Sequence, residues 1–322
     1  MGVSSFSPES FCQCTVGRGK RNFAHMRQRG GLLHKSPVAQ GEILTTGTRV
    51  LLAAPLRPEL GLSGSDGGLP VADSRHPDAV ESTIESLASS DGQLIVACGE
   101  ADYEDIRRIV THAQVRIGHT RVAIETIPGT PLAISVVSSL ADEISGHGDE
   151  QTARQFAAFD YLRANLWSAV WLPSVANLRS PQPSMVQHIR SWLPNSGFIA
   201  TLSPSARVTA AGHAPLSHIP ALPGYALINS PSEAPGWVVP AVAKELMSQS
   251  SSEVVPIRES IDAFGTKSAV EFIAVPADFY EGSRPKPESI VECSGCGTHH
   301  SRPTCPFCKM VSRPAEAPGA NQ

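Results

Sequence analysis

Two pairs of cysteines near the C-terminus have a spacing that chemistry can use. Cys293-Ser294-Gly295-Cys296 and Cys305-Pro306-Phe307-Cys308 are both Cys-x-x-Cys hooks, and eight residues part them. Two such hooks let four thiolates converge as a tetrahedron on Zn²⁺, at about 2.3 Å per Zn–S bond. Each hook is a tight turn whose backbone N–H groups can point at sulfur. Gly297 suits the positive φ such a turn requires, and Pro306 stiffens the second hook. Four thiolates fill the tetrahedron and leave no position for water, so the zinc expected here is structural. The competing chemistry, a pair of redox dithiols, needs a thioredoxin-like βαβ neighbour that residues 281–322 cannot build. With four cysteines available, His299 and His300 are expected as exposed hairpin residues rather than ligands.

The paired hooks resemble the zinc-ribbon family, in particular the short ribbons appended to many bacterial and archaeal proteins. The resemblance covers about the last 30 residues and does not reach the rest of the chain. It departs from the longer template, which separates its hooks by about 15–20 residues. A stubby hairpin with a small recognition surface is therefore implied. Around the hooks, Arg302, Phe307, Lys309 and Arg313 are enough for phosphate contacts and one stacking ring, and equally for a protein partner.

The remaining candidates are weaker. Glu100, Asp102, Glu104 and Asp105 follow an apolar run, where a parallel strand hands over to a helix and ligands commonly bind. Glu100 and Asp102 are candidate acid/base or Mg²⁺-binding groups there, although carboxylates in a first helical turn also complement the helix dipole. Glu125, alone within an apolar strand, must point out of the core or be paired. Cys98 with His112 or His119 as base has no spacing rule behind it, and a single cysteine in an apolar run is ordinarily packing. His213 and His218 lack the i, i+4 geometry of a metalloprotease pair, and Cys12-Gln13-Cys14 makes half a metal site at most. Gly265-Thr266-Lys267-Ser268 lacks the upstream glycine of a phosphate-binding loop. No G-x-S-x-G, H-E-x-x-H or G-x-G-x-x-G motif occurs in a suitable context.

These residues need elements to hold them. Arg49–Ala54, Gln93–Cys98 and Arg121–Ile127 read as strands; Asp78–Ser89, Asp102–Gln114 and Leu132–Ile144 read as helices. Strand and helix alternating across short links is the pattern of parallel βαβ units. Thr152–Leu172 predicts the longest helix, since Phe156, Phe159, Leu162, Leu166, Trp167 and Val170 recur near a 3.6 period. Ser184–Leu193 gives a short helix with Met185, Ile189 and Trp192 on its apolar side. Phe198–Leu202, Arg207–Thr209, Tyr225–Ile228, Val254–Val255 and Val270–Ala274 are strand candidates. Trp237–Met247 is a helix candidate if Pro240 falls in its first turn.

The expected fold class is thus α/β, a mostly parallel sheet with flanking helices, plus a small C-terminal zinc ribbon. The expected organisation is a disordered basic arm at 1–41, within which Met26 is a possible start, and an α/β body at 42–280. That body is one domain or two similar halves. A linker at 281–289, the ribbon at 290–312 and a disordered tail at 313–322 follow.

The 322 residues carry a formal charge of −4, which segregates into +5 over residues 1–40, −11 over 41–283 and +2 beyond. Basic ends on an acidic body suit a polyanion that meets only the ends. Seven cysteines, an odd number, argue against a disulfide framework. No apolar run approaches the roughly 18 residues of a membrane helix, and no signal-peptide core precedes the body, so a cytoplasmic protein without a membrane partner is expected. The function expected on these grounds is a non-catalytic adaptor whose ribbon and basic ends dock a nucleic acid or protein. The alternative is an enzyme acting on a small phosphorylated or nucleotide-like substrate at the sheet's carboxyl edge.

Overall fold

The computed structural model describes residues 48–54, 71–88, 93–118, 121–144, 150–176, 178, 180–193, 197–211, 224–231, 233–248, 250–254, 263–266 and 268–311. The basic arm and the tail, with Cys12, Cys14, Met26 and Arg313, lie outside the described residues, as do His119, His213, His218 and Lys267.

Strands β1 (Thr48–Ala54), β2 (Val71–Asp73), β3 (Gln93–Gly99) and β4 (Val122–Ile127) form a parallel sheet in the order β2-β1-β3-β4. Every residue of β3 after Gln93 is buried, the near-continuous apolar run of a strand covered on both faces. Helices α1 (Pro77–Ala88) and α2 (Tyr103–Ile117) cover one face, setting Val80, Ile84, Ile106 and Val110 against Leu94, Val96 and Cys98. Gly118 ends α2 in the left-handed region at φ +62°, where a side chain would be strained.

The other face packs on α3 (Pro131–Glu143) and α4 (Gln151–Asn165). Thr130 caps α3 by accepting from the Ala133 amide at 3.2 Å, with Pro131 in the first turn. Helix α3 is apolar nearly all round because it lies between two sheets. Its core joins Ile95, Ala97 and Ala123 of the first sheet to Ile228, Ile273 and Val275 of the second.

That second sheet runs β7-β6-β5-β10-β8-β9, from β5 (Trp167–Leu172), β6 (Phe198–Ser203), β7 (Arg207–Ala210), β8 (Tyr225–Asn229), β9 (Ser250–Glu253) and β10 (Val270–Pro276). Helix α5 (Met185–Arg190) lies between β5 and β6 in the chain. Helix α6 (Val238–Glu245) packs on the outer face through Val238 and Val242, with Pro240 in its first turn. The fold is α/β, sheets with flanking helices. The parallel arrangement expected from strand–helix alternation holds through the first sheet. In the second only β8 and β9 run parallel, and the other pairs are antiparallel.

One element differs in kind from expectation. The helix expected over Thr152–Leu172 ends at Asn165, and Leu166 turns extended into β5. All six residues of β5 are buried, between β6 and β10. A strand covered on both faces shows no period of two, so its apolar residues extended the helical stripe by coincidence. The expected linker is also partly ordered: α7 (Phe279–Gly282) and a 3-10 turn at Pro287–Ser289 lead into the hairpin of β11 (Val291–Glu292) and β12 (His299–His300).

Candidate metal centre and adjoining cleft

The four hook cysteines converge. The Sγ atoms of Cys293, Cys296, Cys305 and Cys308 all lie within 4.8 Å of one another, with Cys293–Cys308 at 3.4 Å and Cys296–Cys305 at 3.5 Å. A tetrahedron of Zn–S length has edges of about 3.8 Å, so the set is close to metal-binding size. The two knuckles repeat one design. Gly297 N–H donates to the Cys293 carbonyl at 2.8 Å, and Lys309 N–H donates to that of Cys305 at 3.1 Å. Cys293 N–H donates to Thr298, and Cys305 N–H to Met310, five residues on in each case. Gly297 has φ +71° and its counterpart Lys309 has φ +62°. Burial opposes ionisation of Cys293, but the Cys296 and Gly295 amides and its sulfur neighbours outweigh it and bring the thiol down to about 7. Burial pushes Cys305 up to about 12. A donor set of four converging thiols, one already eased toward thiolate, can hold a soft metal ion.

The ribbon is fastened along β4, the edge strand of the parallel sheet. At one end, Arg121 donates to the Cys296 carbonyl at 3.3 Å. Gln93 bridges Thr298 of the ribbon, at 2.9 Å, and Thr152 of α4, at 2.7 Å. Further along, Arg302 donates to both oxygens of buried Glu125 and to Asp160 at 2.6 and 2.8 Å. Arg163 completes the cluster, reaching Glu125 at 2.7 Å and Asp160 at 3.2 Å. The Arg302 guanidinium also lies 4.6 Å from the Phe156 ring centre, and Phe307 meets the same ring edge-on at 5.6 Å. Asp160 and Arg163, three apart on α4, escaped the sequence reading because their partners lie 35 and more residues away. Their i, i+3 spacing was the available signal.

This geometry corrects several expectations. Arg302 and Phe307, read as a phosphate contact and a stacking ring, are committed to the body: one is ion-paired and the other buried. His300 is fully buried rather than exposed, and burial lowers its pKa. His112 faces α1 and bonds Glu81 at 3.0 Å, so it is no base for Cys98. Burial, with the charges of Asp102 and Glu125, pushes the Cys98 thiol up to about 12, the state of a packing residue.

Beside the ribbon lies a cleft of about 650 Å³, lined by Glu100, Tyr103, Ile124, Thr126, Arg163, Thr304, Pro306 and Lys309 among others. Of the three carboxylates picked from sequence, the cleft brings together Glu100 and Glu125, while Asp102 is not in its wall. The anion site that the α3 N-terminus would offer is already filled: buried Glu271 of β10 accepts the Leu132 amide at 2.7 Å.

No protein-family model matches this chain, and no curated protein matches it. Among solved structures it is similar in shape to a DegV family protein from Corynebacterium glutamicum, at 13% identity and a TM-score of 0.49 over 73% of this chain and 98% of that one. A DegV family protein from Eubacterium eligens loaded with heptadecanoic acid gives 11% and 0.49, over 71% and 99%. A fatty-acid-binding DegV family protein from Thermus thermophilus gives 13% and 0.48, over 71% and 99%.

The expected nucleic-acid or protein adaptor is therefore corrected. Two of the ribbon side chains expected to meet a partner, Arg302 and Phe307, are turned onto its own body instead. The alternative enzyme is corrected too. Glu125 is held by two guanidinium groups, and Glu104 and Asp105 pair with Arg107 and Arg108 in the first turns of α2.

Proposed function

We propose that this chain binds a small amphiphilic carboxylic acid in the cleft, and that a zinc-class ion on Cys293, Cys296, Cys305 and Cys308 holds the ribbon that forms one wall. The observation that carries the reading is Lys309. It occupies a left-handed position that its counterpart in the other knuckle gives to glycine, at a cost of about 1–2 kcal/mol for a side chain. Strain of this kind is kept where the side chain does something, and Lys309 lines the cleft, its Nζ resting 2.7 Å from the Pro306 carbonyl. Tyr103, Ile124 and Pro306 supply apolar wall beside it. Glu100 and the neutralised Glu125 share the cleft, an electrostatic setting that suits a single negative charge better than a phosphate dianion. The volume falls within the roughly 300–1,000 Å³ of small-molecule sites. When bound, the metal supplies no open coordination position; it holds the knuckles closed and the wall in place.

The test is equilibrium binding to the metal-loaded chain, with heptadecanoic acid and shorter carboxylic acids as probes. Saturable binding that weakens at least tenfold in Lys309→Gly, with metal content unchanged, is the expected result. Binding that is absent, or indifferent to Lys309→Gly, would refute the reading.

A further inference from the structure

We propose that helix α5 and the turn after it form a docking face for an anionic lipid surface. The segment Ser184–Leu193 is mounted with its polar side inward. Gln187 ties it to the body, its Nε2 donating to the Val208 carbonyl on edge strand β7 at 2.8 Å, while its amide N–H and Oε1 close a capping box with exposed Ser184 at 3.3 and 2.7 Å. The apolar residues consequently face outward. Met185 is 81% exposed and Trp192 78%, and Val186, Ile189 and Leu193 are each more than half exposed. Five large apolar side chains within nine residues, all in water, are not the scattered surface hydrophobics of an ordinary soluble face.

Charge says what covers them. The chain as a whole is acidic, yet between Asp160 and Glu233 it contains no Asp or Glu at all, while Arg190 and Arg207 fall in that interval. Arg207 begins the strand to which Gln187 is bonded, and Arg190 ends the helix. Among the described residues neither has a carboxylate partner. A face of Trp, Ile, Leu and Met rimmed by arginine, with acidic residues removed for seventy-odd positions, matches an interface of acyl chains under anionic headgroups. No helix among the described residues is long and apolar enough to cross a membrane. That length criterion concerns spanning and leaves lying on the surface open. The proposal stands independently of what the cleft holds.

Flotation of the full, metal-loaded chain with vesicles tests it, using mixed phosphatidylglycerol and phosphatidylcholine against phosphatidylcholine alone. Binding to the anionic vesicles that declines with salt is expected, with at least a tenfold loss in Ile189→Glu/Trp192→Glu. Because both side chains are exposed, that variant should keep its unfolding midpoint and metal content. Lys309→Gly should float like the parent, which separates this surface from the cleft. The proposal is overturned if the parent does not float at low salt, or if the double variant floats equally well. It is also overturned if the double variant turns a dimer into a monomer by light scattering, because the face then meets a second copy.

Discussion

A carboxylate taken out of water at a sheet edge has to be neutralised where it stands, and Glu125 is neutralised from two directions, by Arg163 of α4 and Arg302 of the ribbon. Removing one member of such a cluster leaves charge buried without its partner, typically at about 3–5 kcal/mol. Arg302→Met should therefore lower the unfolding free energy by about that amount in denaturant titrations. Glu125→Gln/Arg302→Met should recover a large part of the loss, since no charge is then stranded. If the two variants are equally unstable, Arg302 acts through its packing on Phe156 rather than through charge. From sequence Glu125 was legible as a residue needing a partner. Its partners were not, because pairing across 38 and 177 residues leaves no local periodicity.

At the scale of elements, the ribbon is tied beside edge strand β4 by Arg121 and Arg302 and packs on α4 through Phe307. Its own hairpin is only two residues a side, so an ion held by the four cysteines would be what keeps the knuckles closed. Metal removal by a chelator should release the ribbon and make the chain about 300 onward sensitive to protease, while far-ultraviolet circular dichroism changes little. Reloading at neutral pH should liberate protons, because the Cys305 thiol, at about 12, is protonated beforehand. A calorimetric titration in buffers of different ionisation enthalpy measures that number. Both knuckles were visible in the sequence, down to the role of Gly297. Lys309 was not recognised as the same position in the second knuckle, since a lysine gives no sign of a left-handed backbone. Helix α5 shows the complementary limit: its apolar stripe was legible, but periodicity defines a stripe without saying which way it faces.

For the whole molecule, the layers run from α1 and α2 through the parallel sheet, α3 and α4, and the mixed sheet to α6. The outer helix pair is held by Glu81, which accepts from Arg116 at 2.7 Å and lies 3.0 Å from His112. Burial works against ionisation of Glu81, but those partners prevail and hold its pKa below the ordinary 4.5. The unfolded chain therefore takes up this proton first, so the contribution is present above about pH 4.5 and is lost on acidification below it. Urea unfolding across pH 3–6 should show this acid limb, and Glu81→Gln should flatten it.

What the amino-acid sequence determined by itself was whatever depends on neighbours along the chain: the Cys-x-x-Cys knuckles, the strand–helix alternation of residues 93–144 and the segregation of charge. Hydrogen bonds inside a turn or helix are local, so residue type and spacing encode them. What only the tertiary structure decided was how those pieces meet. It made Trp167–Leu172 a central strand and put α3 between two sheets. It turned Arg302 inward onto Glu125 and the apolar side of α5 outward. Each of these is a choice of partner across many residues, settled by burial and charge pairing that no short window of sequence contains.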